Sequence, residues 1–294
     1  MTVDVLGSYW TTAGPVEIGT GREWSLFGWP ERCAEAARVG MRGLGLWHAD
    51  LEHLLQTHSP AELRSVFVDH GLEVLELEFL NDWFVPPGDP RRTASDQQRD
   101  LLFTAAAELG AHHIKLGNLK RTEAGLDQLT TAFAELCADA AGRHGAPLTY
   151  ELMPFDVNAG SIEAVVRIVG GAGAANGGIA LDTWHLGKMR IAPDELAAIP
   201  ADLLGYVELS DGMRADMPDH SVETTRFRRL PGEGEFDIPG YVRALTGLGY
   251  RGPWGVEVLS DDLRALPMPE MFRRTVETTR AQLDLAGAGQ GGTP

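Results

Sequence analysis

The sequence has little cysteine: only Cys33 and Cys137 in 294 residues. Both sit in helix-like surroundings and read as small core residues, which rules out a disulfide frame or a cysteine zinc knuckle. There is no apolar run near the roughly 18 to 20 residues that a membrane span needs. The opening, Met1-Thr-Val-Asp-Val-Leu-Gly7, lacks the basic and apolar segments of a signal peptide, so the expectation is a cytoplasmic protein. Positive charge is also scarce. Lys and Arg number 25 against 42 Asp and Glu, a formal net charge of -17. That balance excludes nucleic acid and anionic membrane as partners. It is compatible with a cation-dependent site, although most of the charge belongs to solvated surface. No internal repeat, linker or composition break interrupts the chain. A single domain over residues 1–285 is expected, followed by a low-complexity tail, 286–294, read as disordered.

What is present is a 44% apolar chain whose apolar residues fall in short runs separated by helical patterns. Strands are expected at Val3 to Gly7, Leu44 to Trp47, Leu72 to Phe79, His113 to Gly117, Leu148 to Glu151, Ile179 to Leu181, Leu204 to Leu209 and Trp254 to Leu259. Between them, helices are expected from Trp29-Pro30 onward, over Pro60 to His70, from Asp89-Pro90 to Gly110, and over Thr122 to Gly142. Further helices are expected from Ser161 to Val169, Asp194 to Ile199, Ile238 to Leu248 and Met268 to Leu285. Ser8 to Thr12 and Gly212 to Arg229 read as loops. Gly170 to Gly178 is glycine-rich but leaves a helix, so it is a connector and not a phosphate-binding turn. Eight strand signals alternating with about eight helical ones describe an α/β protein, a (β/α)8 TIM barrel, whose usual size is about 250 residues.

In such a barrel, reactive groups sit at the carboxyl ends of the strands. The stretch Gly178-Ile-Ala-Leu-Asp-Thr-Trp-His-Leu-Gly-Lys188 delivers Asp182 and then His185 to one mouth. Three other strands end on acids, so Glu151, Asp182, Glu208 and Glu257 come together from neighbouring strands. Four carboxylates at one mouth repel unless something compensates them. A bound divalent cation does so, and hard oxygen ligands favour Mg²⁺ or Mn²⁺ over Zn²⁺.

Glu151 after a strand, Asp182 with His185 three residues on, an acid on the seventh strand, an arginine ahead of Pro231-Gly-Glu-Gly234, and Glu257 inside Gly-Val-Glu-Val form an ordered set. The set resembles the sugar-phosphate isomerase/epimerase group of xylose-isomerase-like TIM barrels, which includes ketose 3-epimerases and inosose dehydratases. The resemblance runs from about residue 3 to 285. It implies metal ligation by Glu151, Asp182 and Glu257, with Glu151 and Glu257 also serving as acid/base pair. It implies that His185 holds a substrate hydroxyl or the metal-bound oxygen and that Arg228 binds substrate. One position departs from the pattern: the seventh strand usually carries His, and here it carries Glu208, whose ligand role is the least secure of the four. The implied chemistry passes through a metal-stabilised enediolate. Isomerisation or epimerisation of a polyol, keto-sugar or cyclitol is the first reading. Lyase chemistry, as in an inosose dehydratase or a keto-glycoside eliminase, is the second. A non-catalytic barrel that binds a partner protein is the third.

Other residues are candidates for the mouth. His48 follows the second strand and Lys115 lies inside the fourth, where it serves substrate or simply pairs with a carboxylate. Of His112 and His113, at most one faces inward. His220 falls in the long polar loop and reads as solvent-exposed. Trp10, Trp47, Trp83 and Trp184 fall at strand ends, where aromatic walls for a sugar or plain rim packing are both served. No basic glycine loop marks a phosphate cradle, so an unphosphorylated substrate is favoured, with Arg226, Arg228 and Arg229 left as anion-binding groups. Oligomeric state leaves no mark here; a homo-oligomer is compatible with every feature above.

Overall fold

A computed structural model describes residues 4–143 and 145–288. Eight strands are present: β1 (Val5–Gly7), β2 (Gly43–Trp47), β3 (Val74–Leu80), β4 (His113–Leu116), β5 (Leu148–Leu152), β6 (Gly177–Asp182), β7 (Leu204–Leu209) and β8 (Trp254–Val256). Each pairs in parallel with the next, and β8 pairs with β1, so the sheet closes into a barrel. The expected (β/α)8 architecture is therefore the observed one.

The helices form where the sequence supplies starts and stops. Pro60–Asp69 opens on Ser59, whose Oγ accepts from Glu62 N at 3.3 Å, a standard way to satisfy an otherwise unpaired first-turn amide. Pro90–Leu109 opens on Asp89 and closes on Gly110 in the left-handed region. Met268–Leu285 spans the expected residues. Three local expectations are corrected. Ser8 to Thr12 is not simply a loop, because Tyr9–Thr12 turns as a short helix. The polar segment 212–229 contains a helix, His220–Arg226, capped by the Asp219 carboxylate. The short element near Asp194 is a 3-10 turn, Pro193–Ala198. The expected disordered tail falls largely at 289–294, outside the described residues.

Two layers follow from the strand alternation. Outward residues such as Leu75, Leu77, Ile114, Tyr150, Leu181 and Val207 pack under the helices in the main core. Inward residues Leu6, Val74, Ala180 and Tyr206 form a small apolar plug inside the barrel. Two residues further along the same inward faces come Glu76, Asp182 and Glu208. The barrel therefore changes from apolar to ionic within one side-chain layer, toward the carboxyl ends of the strands. Gly255 makes room for this crossing: a Cβ there would lie 2.1 Å from the Tyr206 hydroxyl and 2.9 Å from Glu208.

The seam between first and last strands is tied by side chains. Thr11 Oγ1 donates to Val256 O at 2.6 Å and accepts from Val258 N at 2.7 Å. Ser8 Oγ donates to Glu208 Oε1 at 2.5 Å. Ser8 thus positions the seventh-strand acid, and Thr11 in the helix after it closes the sheet.

Candidate active site

Glu151, Asp182, Glu208 and Glu257 converge as expected. Each offers an oxygen, and these oxygens lie within 4.8 Å of one another. Glu151, Asp182 and Glu208 end their strands or nearly so, whereas Glu257 follows β8 by one residue. All four are buried. By ligand chemistry alone, such a group could hold a divalent cation.

Two protein cations already sit among these acids. Lys115 Nζ is 2.7 Å from Glu208 Oε2, 2.8 Å from Glu257 Oε1 and 3.2 Å from Glu78 Oε2. Glu76 Oε1 is 3.8 Å away. Arg228 Nη1 donates to Asp182 Oδ2 at 2.5 Å and to Glu257 Oε2 at 3.0 Å. Its remaining donors are held by Thr224, at 2.9 Å to the carbonyl and 3.0 Å to Oγ1. The guanidinium also lies 4.9 Å above the Trp184 ring, an arrangement that fixes a cation over an aromatic face. The second oxygen of Asp182 accepts from Trp184 N at 2.8 Å and from Ser210 Oγ at 2.5 Å. Asp182 is thus both helix cap and site residue.

Glu151 stands apart. Its Oε1 is buried and has no hydrogen-bond donor; His185 Nε2 approaches to 3.2 Å. Burial, opposed mainly by Lys115, pushes its pKa up to about 7. Glu257 behaves oppositely. Burial works to raise its pKa, but Lys115 and Arg228 outweigh that and hold it down at about 2. His185 is pushed down to about 4, chiefly by burial, so its ring is neutral near pH 7. Two carboxylates on one wall thus differ by environment alone, a pattern common where acid/base chemistry is done.

The cavity above these groups is small. Its polar side is Glu78, Glu151, His185, Arg228 and Glu257, and its apolar side includes Trp10, Trp47, Phe79 and Phe155. Of the residues expected to meet substrate, Arg228 lines it, whereas His48, Lys115 and Trp184 do not. Lys115 lies fully buried beneath the cavity and Trp184 under Arg228. His48 packs beside Trp47, 4.5 Å between rings. His220 is exposed, near Glu223.

The Pro231–Gly234 loop is anchored by Asp211. Its carboxylate accepts from Gly212 N at 2.7 Å and from Gly232, Gly234 and Phe236 N, each at 3.0 Å. A Cβ on Gly234 would sit 2.2 Å from Asp211 Oδ1, so only glycine fits there. Asp211 N donates to Arg229 O at 2.9 Å and Arg229 N donates to Asp211 O at 2.8 Å, which places Arg228 at the mouth. Sequence reasoning assigns no role to Asp211, Glu76 or Glu78. For Glu76 and Glu78 the signal was inward alternation on an otherwise apolar strand.

Residues 33–282 match the model of the xylose isomerase-like TIM barrel. The chain belongs to that family. Among curated relatives, a 3-dehydroshikimate dehydratase of Pseudomonas aeruginosa is 28% identical over 239 residues, and that of Pseudomonas putida 26% identical over 239 residues. Each match covers 81% of this chain and 37% of the relative, so the chain spans well under half the length of those enzymes. Among solved structures, IolI protein with a bound zinc atom matches at TM-score 0.78 and 19% identity, over 97% of this chain and 98% of its own. D-psicose 3-epimerase matches at TM-score 0.69 and 17% identity, over 97% and 100%. These xylose isomerase-like relatives are enzymes, both lyases and epimerases by name. No described helix is long and apolar enough to cross a membrane.

Proposed function

We propose that this barrel catalyses proton removal beside a carbonyl of a small hydroxylated compound, followed by loss of a β-hydroxyl as water. The reading is thus a dehydratase, a carbon–oxygen lyase. The observation that carries it is the asymmetry of the two acids on the cavity wall. Glu151 has an oxygen free of donors, whereas both oxygens of Glu257 are held by Lys115 and Arg228.

Glu151 is the base. It takes the proton from the carbon next to the carbonyl, and the electron pair moves onto the carbonyl oxygen. Arg228, the cationic group on the wall, faces the charge that develops there. Collapse of that charge expels the β-hydroxyl, and the proton leaves with it as water. His185, neutral and 3.2 Å from Glu151, packs beside the base without donating to it. Trp47 and Phe79, their ring planes 26° apart, with Trp10 edge-on to Trp47, offer an apolar wall to one face of a ring. The dehydratase names of the curated relatives support this outcome.

Epimerisation or isomerisation is the second reading. The observation in its favour is that Glu151 and Glu257 both line the cavity, as an exchange of protons on two faces requires. Against it, Glu257 is locked as an anion by two cations. The carboxylate set taken alone calls for Mn²⁺ or Mg²⁺. In this chain Asp182, Glu208 and Glu257 already spend both oxygens on protein donors.

The test is a panel of keto-cyclitols, keto-sugars and 3-dehydroshikimate incubated with the full chain in D₂O. Loss of one water by mass spectrometry is expected for at least one compound. Deuterium entry with no loss of mass would replace this reading with the second. Neither exchange nor loss over the panel sinks both.

A further inference from the structure

We propose that the Lys115 ammonium is the resident cation of this barrel, taking the place that its carboxylates would otherwise give to a divalent metal. The first argument is coordination. An ammonium has three N–H donors and no more. Lys115 Nζ has three carboxylate oxygens within 3.2 Å, from Glu208, Glu257 and Glu78. Glu208 and Glu257 accept hydrogen bonds from it, Glu78 pairs with it as an ion, and it is wholly buried.

The second argument is the state of the acids. Asp182 gives one oxygen to Trp184 N and Ser210 and the other to Arg228. Glu208 gives one to Ser8 and one to Lys115. Glu257 gives one to Lys115 and one to Arg228. A divalent ion binding there must displace these donors and leave an ammonium and a guanidinium buried beside it. Isolated buried charges of like sign cost several kcal/mol each, so the ion and Lys115 exclude one another.

The third argument is composition. Only three lysines occur in the chain, at 115, 120 and 188, among 25 basic residues. A lysine in the barrel interior is thus not a sampling accident of a lysine-rich protein. Its partner Glu208 stands where the resembled pattern usually has His. That carboxylate and the Lys115 ammonium lie 2.7 Å apart.

The experiment is metal binding, which does not depend on the carbonyl reaction being identified. Full-length protein purified without chelators is assayed for Mn, Zn and Mg by mass spectrometry. Wild type and Lys115→Met are then titrated with MnCl₂ and ZnCl₂ by calorimetry. Wild type is expected to carry well under about 0.1 equivalent, and Lys115→Met to bind one equivalent at least roughly 100-fold more tightly. Wild type with about one equivalent of metal overturns the proposal. So does a folded Lys115→Met that binds metal no better than wild type. If Lys115→Met does not fold, the thermal midpoint of wild type decides. No change with EDTA or with millimolar MnCl₂ supports a resident ammonium, and a rise of several degrees with Mn²⁺ overturns it. A metal-loaded wild type that still expels water from a substrate would sink this inference and leave the dehydratase reading standing.

Discussion

Glu151 and Glu257 are the same residue type, a few ångströms apart, and behave as opposites. The cause is their partners: Glu257 is in direct contact with a lysine and an arginine, whereas Glu151 is in direct contact with a neutral imidazole and feels Lys115 from farther off. Glu151→Gln keeps the shape and removes the base. It is expected to lower kcat by about 10²–10⁴-fold, the range a general base supplies, with KM changed little and the circular dichroism spectrum unchanged. Near-native turnover in that variant would assign the proton transfer elsewhere. The acids themselves were legible in the sequence because each follows an apolar run, and strand ends are where barrels keep reactive groups. Their partners were not. A lysine inside a strand pattern points inward or outward with equal right, and nothing in its spacing says that Glu78, Glu208 and Glu257 arrive from three other strands.

Among the elements, the segment from Gly212 to Arg229 departs most from its reading. Its proline, glycine-poor polar character and acidic residues conceal one helix of seven residues, His220–Arg226. That helix is too short to show an apolar stripe, so its start is announced only by the Asp219 cap. The strands and long helices were read nearly as they stand, because burial on both faces of a parallel strand and helix-stop glycines leave strong local marks. The return loop is governed instead by one distant contact, the Asp211 carboxylate with its four backbone donors. Asp211→Ala leaves those amides unsatisfied. A loss of about 2–4 kcal/mol in urea unfolding is expected, together with weaker substrate binding as Arg228 loses its support. A loss below about 0.5 kcal/mol would mean that water replaces the carboxylate without cost.

Across the whole molecule, two charge regimes coexist. In the interior, Lys115 and Arg228 are shared at close range among several buried acids, where salt cannot enter. The surface carries the bulk of a net charge of -17, and its repulsion is open to screening. Raising NaCl from about 10 to 150 mM shortens the Debye length to about 8 Å. The thermal midpoint is therefore expected to rise by a few degrees, read by calorimetry at constant pH. A midpoint that falls with salt would show that surface ion pairs outweigh the net repulsion.

Lys115 also imposes an order on biosynthesis. Of its three closest partners, Glu78 precedes it in the chain, and Glu208 and Glu257 come about 90 and 140 residues later. A ribosome that has just released the fourth strand has made an ammonium with only the third-strand acids, Glu76 and Glu78, to meet it. The nascent half-barrel keeps that group wet until the later strands bring Glu208 and Glu257 to it.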